Sequence, residues 1–192
     1  MAFVALLDAN VLYPAYLRDL LLRLAQAGVY QPRWSAEILD EVARNVKEGR
    51  DAVGQQKVDR MISLMKRHFE EAEVTGYKGL LPAMTNDRED RHVLAAAVTG
   101  GADVIVTSNL KHFPPHSREP YNIDARGPDE FLLHQWEQAD HERFVAILDR
   151  WTDQLQRHPD TLEGVLEERL RTTVPEFSRA VLEYIRNNEI RG

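Results

Sequence analysis

The stretch from Phe3 to Asn10 constrains this chain most, because a short apolar run ends there abruptly at Asp8. Such a run is typical of a strand that is buried on both faces. The segments that follow have helical periodicity, which predicts a parallel sheet with crossover helices. Ligands of such sheets bind outside the carboxyl ends of the strands, where we expect Asp8. Alternatively, Asp8 merely caps a helix that begins near Pro14.

Composition limits the classes of protein that need to be considered. The chain has 192 residues, enough for one substantial core or one domain with an appendage. No apolar run approaches the roughly 18 residues that span a bilayer, so we expect no membrane association. The absence of cysteine excludes disulfides and thiolate metal sites and fits a cytoplasmic protein. The net charge of −7 argues against binding of nucleic acid by bulk electrostatics.

Three later segments carry polar side chains towards the same predicted edge of the sheet. Glu41 lies on a helix that Ser35 would cap, and an acidic stretch ending at Asp90 opens an alanine-rich helix. A second buried strand, rich in β-branched residues, ends at Thr107. Because strand ends and the starts of the following helices meet at one edge of a parallel sheet, we expect these residues near Asp8.

Carboxylates that converge in this way repel one another and raise each other's pKa unless a cation lies between them. Oxygen ligands without cysteine or an obligatory histidine favour Mg²⁺ or Mn²⁺ over Zn²⁺. Such an ion can activate a water molecule and polarise a phosphodiester. Each acid also has a structural alternative, as a cap, a surface acid or an acid that is favoured at a helix N-terminus.

One basic region stands out in this acidic chain. Residues 42–69 contain seven Lys or Arg and three acids, and the region opens with Arg44, Lys47 and Arg50. It is either a solvated helix face or the surface that contacts RNA.

Four motifs in this order resemble a PIN domain, and within that family the VapC-type toxins of bacterial toxin–antitoxin pairs. They are Leu6-Leu7-Asp8-Ala9-Asn10-Val11-Leu12, Ser35-x-x-Ile38-x-x-Glu41, Asp87-x-x-Asp90-Arg91-His92-Val93-Leu94-Ala95-Ala96-Ala97, and Val106-Thr107-Ser108-Asn109-Leu110-Lys111-His112-Phe113. The resemblance covers roughly residues 3–135. It implies an α/β fold, a three-layer α/β/α PIN-like nuclease domain with a parallel sheet over residues 1–135. An all-helical C-terminal extension would follow over residues 136–192.

The resemblance further implies an endoribonuclease that depends on Mg²⁺ or Mn²⁺. Asp8, Glu41 and Asp90 would be the catalytic and metal-binding acids, with Asp87 as a supporting acid one helical turn before Asp90. Asn109 stands where many members have a fourth aspartate. It offers an oxygen ligand without a charge, which leaves the number of metal ions open.

Four further polar residues lie near the proposed acids in sequence. Thr107 would contact substrate or water, or would be a satisfied hydroxyl at the end of a strand. Asn10 supports the same site, and it also argues against a haloacid-dehalogenase-type phosphatase, whose signature needs aspartate at this second position. His92 and His112 are more typical of surface or packing residues, and the chemistry does not require them.

The implied partners are an RNA substrate and a cognate antitoxin protein, and a homodimer stays open. Two other readings also stay open: a PIN ribonuclease that acts in RNA processing without being a toxin, and a catalytically inactive module that binds protein or RNA.

Overall fold

The computed structural model describes residues 3–155 and 161–189, which form two compact units. The first contains the chain up to Pro14 together with Tyr30–Arg126, and the second contains Ala15–Val29 and the chain from Gly127 onward. The predicted boundary between residues 135 and 136 stays a prediction. The second compact unit begins earlier in the chain, at Gly127, and it also includes Ala15–Val29.

The first unit is built on a five-stranded parallel sheet. Its strands are β1 (Val4–Leu7), β2 (Gln31–Ser35), β3 (Glu73–Val74), β4 (Val104–Val106) and β5 (Asp124–Arg126), in the order β3-β2-β1-β4-β5. The central strand, β1, is the apolar run that precedes Asp8, and Ala5, Leu6 and Leu7 are fully buried. The sheet confirms the predicted α/β fold with parallel strands.

Helices follow most of these strands along the chain and continue after the last strand. Those of the described residues are α1 (Ala9–Leu12), α2 (Ala15–Gln26), α3 (Ala36–Lys47), α4 (Ala52–His68), α5 (Arg91–Thr99), α6 (Pro115–Arg118), α7 (Pro128–Glu137), α8 (His141–Thr152), α9 (Leu162–Val165) and α10 (Pro175–Glu189). Short 3₁₀ segments occupy Glu70–Ala72, Tyr77–Ala83, Leu110–His112 and Glu119–Tyr121, and a π-helical turn occupies Leu166–Leu170. None of the described helices is long and apolar enough to cross a membrane.

The position of β2 corrects one expectation from the sequence. Pro32 predicts an edge or irregular strand, because proline cannot donate to a ladder, yet β2 lies between β1 and β3. The Gln31 N–H donates to the Phe3 carbonyl in the direction of β1, so position 32 faces the opposite side. On that side β3 pairs only with Trp34 and Ser35. Pro32 therefore interrupts no ladder hydrogen bond.

The helix that the sequence predicts near Pro14 is α2, which begins at Ala15. A shorter helix, α1, begins directly after Asp8, and the Ala9 N–H donates to the Asp8 carboxylate. The polar stretch before the alanine-rich helix predicts Asn86 or Asp87 as its N-cap, but the N-cap of α5 is Asp90. Asp87 instead begins a hydrogen-bonded turn that precedes α5, in which its carbonyl accepts from the Asp90 N–H.

In its described residues the second unit contains helices and no strands, as predicted for the C-terminal part. It contains α2 and α7 to α10, with a core of Leu20, Phe131, Leu148 and Phe177. Residues 156–160 and 190–192 of the predicted helical extension lie outside the described residues.

Candidate active site

Asp8 lies at the carboxyl end of β1 and is only 3% exposed. Its Oδ1 accepts the Ala9 N–H at 2.7 Å. Its Oδ2 accepts from the Thr107 hydroxyl at 2.7 Å and from the Asn10 amide at 2.6 Å. A buried carboxylate needs such partners, because water cannot solvate it. Asp8 therefore caps α1 and still presents a carboxylate at the edge of the sheet, so the two readings from the sequence are compatible.

Thr107 and Asn10 link the ends of the two central strands. Thr107 follows β4 and is fully buried, and its hydroxyl oxygen accepts from the Asn10 amide and from the Asn109 N–H, both at 3.0 Å. The Asn10 Oδ1 accepts the Ser108 N–H at 2.8 Å. We call Asp8, Asn10 and Thr107 the strand cluster. Its bonds join β1 to β4 at the edge where the sequence predicts the site.

The other two predicted acids are held by histidines. Glu41 lies on α3, and its Oε1 is 3.1 Å from the Nε2 of His92 on α5. Asp90 precedes α5, and its Oδ2 is 2.5 Å from the Nδ1 of His112. We call Glu41 and Asp90 the helix acids. Both are only partly exposed, so each carboxylate has a polar partner and still reaches solvent.

The Asp8 carboxyl is influenced by its burial and by the charges of the two helix acids. Burial raises the pKa of the Asp8 carboxyl above its ordinary value of 3.8, and the charges of Asp90 and Glu41 raise it further. The hydrogen bonds from Thr107 and Ala9 oppose this rise without cancelling it. The structure thus brings Asp8 into electrostatic range of Glu41 and Asp90, which come from two other segments of the chain.

The surroundings of His92 are correspondingly acidic. Burial disfavours its charged ring, but the hydrogen bond to Glu41 and the charges of Glu41, Glu37 and Asp8 outweigh burial, so the pKa of His92 is raised above 6.5.

A second arrangement of donor atoms surrounds Asp90. Asp87, Asp90 and His112 each offer one ligand atom, and these atoms lie within 4.8 Å of one another. Asp8 and Glu41 lie outside this trio. Asn109 is half-buried, and its N–H donates to Thr107. Carboxylates and an imidazole nitrogen form a donor set that suits Mn²⁺ and related transition metals.

An open cleft of about 950 Å³ begins at the helix acids. Arg44, Lys47 and Arg50 line it together with Glu41 and Asp90, so the predicted basic residues share a surface with two of the predicted acids.

The three basic side chains differ in how free they are. Lys47 forms an ion pair with Asp59 at 2.5 Å, whereas Arg44 and Arg50 are exposed. Arg50 also donates from Nε to the Val46 carbonyl at 2.5 Å.

Sequence reasoning did not find the pairing of the histidines with the acids. His92 lies two residues after Asp90, and His112 lies three residues after Asn109. This proximity in sequence was a signal that the histidines lie near the site. Their contacts with Glu41 and Asp90, however, join segments that are distant in the chain.

A family model described as the PIN domain matches residues 4–111, which is more than half of the chain. This chain belongs to the PIN family. The match includes Asp8, Glu41, Asp90 and Thr107, and it confirms the resemblance found in the sequence.

The PIN chain is also similar to a curated protein, "Putative ribonuclease VapC50" from Mycobacterium tuberculosis (strain ATCC 25618 / H37Rv). The two are 44% identical over 106 residues, which cover 54% of this chain and 60% of that protein. The chain therefore aligns with less than two thirds of the relative's length. No solved structure matches it at a significant level.

Proposed function

We propose that this PIN protein is a metal-dependent endoribonuclease that hydrolyses phosphodiester bonds of RNA. The observation that carries the proposal is the placement of three carboxylates: Asp8 lies at the carboxyl end of β1, and Glu41 and Asp90 line one cleft close enough for their charges to act on Asp8. Convergence of like charges at the carboxyl edge of a parallel sheet is costly without a cation. A catalytic purpose explains why such a cost is retained in the fold.

The donor chemistry fits a divalent cation. Asp8, Glu41 and Asp90 would hold Mg²⁺ or Mn²⁺, with Asp87 and the Asn109 carbonyl as further oxygen donors. The bound ion would activate a water molecule for attack and stabilise charge on the phosphate.

The residues of the chain would divide the remaining work. Thr107 and Asn10 fix the Asp8 carboxylate in one orientation before the cation arrives, which lowers the entropic cost of binding the cation. Arg44 and Arg50 line the cleft next to the helix acids, where they would attract phosphates of the RNA backbone. Glu48 and Glu89 also line the cleft, so the two arginines would act as local cations within a lining of mixed charge.

Similarity to a protein described as a VapC ribonuclease supports a more specific role. We infer that the chain is the toxin of a type II toxin–antitoxin pair. Its partner would be a small antitoxin protein encoded by the adjacent gene, and both would act in the cytoplasm.

The nuclease assignment is tested with end-labelled RNA, purified protein and titrated Mg²⁺ or Mn²⁺. Asp8→Asn should lower cleavage about a hundred-fold or more, because it removes a metal-binding charge. Asp103→Asn is a matched control, since Asp103 lies at the opposite end of β4 and accepts the Val4 N–H. Equal activity of Asp8→Asn and the wild type would refute the assignment, provided that both proteins are folded.

The toxin role has its own test in bacterial cells. Expression of the chain alone should arrest growth, and neither Asp8→Asn nor coexpression of the neighbouring gene should do so. Cleavage in vitro without growth arrest would indicate an RNA-processing enzyme. Binding of RNA without cleavage at any metal concentration would indicate a binding module.

A further inference from the structure

His92 stands out because it is buried among the acids and has no role in the proposed chemistry. It is the second residue of α5 and is 7% exposed. Its Nε2 lies 3.1 Å from the Oε1 of Glu41, which belongs to α3. The contact therefore joins α3, which carries Glu41, to α5, which begins after Asp90.

The position of the ring hydrogen follows from the surroundings of the two nitrogens. The Nδ1 is buried and has no hydrogen-bond partner among the residues that the structure describes. A neutral ring with its hydrogen on Nδ1 would leave a buried N–H unpaired and would turn the Nε2 lone pair towards a carboxylate. Both consequences of that tautomer are unfavourable. The hydrogen consequently lies on Nε2 in the neutral ring and in the charged ring alike, and His92 donates to Glu41 in both.

Glu41 needs such a restraint more than Asp8 does. Its longer side chain has three rotatable bonds and is 30% exposed, so fixing it in one orientation costs more conformational entropy. The neighbouring negative charges of Asp8 and Asp90 also favour rotation of Glu41 away from them, into solvent. A donor fixed on α5 opposes both effects.

We propose that His92 is a positioning residue, which holds the Glu41 carboxylate towards the cation site before the cation binds. Because His92 is on the helix that Asp90 begins, the same element would set the spacing between the two helix acids. The proposal rests on the proposed function, since it assigns Glu41 to metal binding. It adds to the site a residue, His92, that would support a metal ligand without contacting the metal itself.

The test compares Mn²⁺ affinity, measured by calorimetry, in two replacements of His92. His92→Leu fills a similar volume without a donor and should weaken binding about tenfold, a typical cost of losing a hydrogen-bond partner of a ligand. His92→Gln places an amide N–H near the position of Nε2 and should stay within about threefold of the wild type. Loss in the first variant and rescue in the second separate hydrogen bonding from packing.

A double-mutant cycle with Glu41→Gln isolates the pathway of the effect. If His92 acts through the Glu41 carboxylate, His92→Leu should cost no further Mn²⁺ affinity in the Glu41→Gln background. An equal loss in both backgrounds, or no loss in the single variant, would overturn the proposal. If His92→Leu does not fold, His92→Asn replaces it, because the asparagine amide is too short to reach Glu41.

Failure of this proposal can be distinguished from failure of the nuclease assignment. If Asp8→Asn abolishes RNA cleavage and His92→Leu binds Mn²⁺ like the wild type, the nuclease stands and the positioning role falls. If the wild-type protein binds no divalent cation at all, the proposed function itself falls, and the positioning role falls with it.

Discussion

Asp8 and Glu41 are both acids of the candidate site, but the chain holds them by different means. Asp8 is a short side chain next to the central strand, bound by the following N–H and by Asn10 and Thr107 of the strand cluster. Glu41 is a longer side chain in the middle of a helix, and the His92 ring contacts its carboxylate. The first carboxylate is positioned by the sheet itself, and the second depends, among the residues that the structure describes, on one ion-pair contact with another helix.

Because the two acids are held differently, mutations around them should have different effects. Changes in the strand cluster should affect both the fold and the site, because the same hydrogen bonds join β1 to β4 and orient Asp8. Changes around the helix acids should affect cation binding with little effect on stability, because these side chains are partly exposed.

The largest effect is expected for Thr107→Val in the strand cluster. The variant keeps the shape of the side chain but removes the hydroxyl that bonds Asp8, Asn10 and the Asn109 N–H. We expect a loss of about 1–3 kcal/mol in the free energy of unfolding, measured by urea denaturation, because polar groups are left unpaired. Thr107→Ser keeps the hydroxyl and should lose less.

The loss in Thr107→Val should also depend on pH. The Thr107 hydrogen bond lowers the pKa of Asp8, which burial and the charges of Asp90 and Glu41 raise. Without that bond the pKa of Asp8 rises further, and a carboxyl with a raised pKa costs stability once it is ionised. The extra loss should be absent below the ordinary value of 3.8 and should grow as pH rises through the pKa of folded Asp8. A loss that is independent of pH would show that Thr107 stabilises the fold through its bonds to Asn10 and the Asn109 N–H, and not through the charge of Asp8.

An intermediate effect is expected at His112, on the side of the helix acids. His112 offers a nitrogen within the trio that it forms with Asp87 and Asp90, and nitrogen ligands favour transition metals over Mg²⁺. His112→Gln should therefore weaken Mn²⁺ binding about tenfold and Mg²⁺ binding much less, as measured by calorimetry. His116→Gln is the matched control, because His116 is exposed on α6. A parallel loss for both ions would indicate that His112 only orders Asp90.

The same contrast explains which parts of the site could be predicted from sequence. Asp8 and Thr107 follow apolar runs, and the carboxyl ends of parallel strands meet at one edge, so their proximity follows from local patterns. The pairing of His92 with Glu41 joins α5 to α3, and no local pattern encodes which residues of two helices meet. The turn at Asp87 was also missed, because its acidic residues resemble a helix start.

The fold was predictable to a similar extent and for similar reasons. The buried strands β1 and β4 have unbroken apolar runs, which identify them. The interior position of β2 was not predictable, because Pro32 is tolerated only owing to the short length of β3. That length is a property of a different part of the chain.

The smallest effect is expected where the cleft extends from the helix acids to exposed basic side chains. Arg44→Ala and Arg50→Ala should each weaken RNA binding about twofold to fivefold near physiological salt, because an exposed charge contributes up to about 1 kcal/mol. Each lost phosphate contact should also reduce the slope of log affinity against log salt by about 0.7 for single-stranded RNA. Mn²⁺ affinity should stay unchanged, since neither arginine is a proposed ligand.

Arg60→Ala serves as the control for this last prediction, because Arg60 is exposed on α4 and does not line the cleft. All three variants lose one positive charge, so a general electrostatic effect would weaken RNA binding equally in each. A larger loss in Arg44→Ala and Arg50→Ala than in Arg60→Ala would locate the RNA path in the cleft beside Glu41 and Asp90. Equal losses would show that the RNA does not bind along the cleft. The RNA would then reach a metal site at the helix acids from another side.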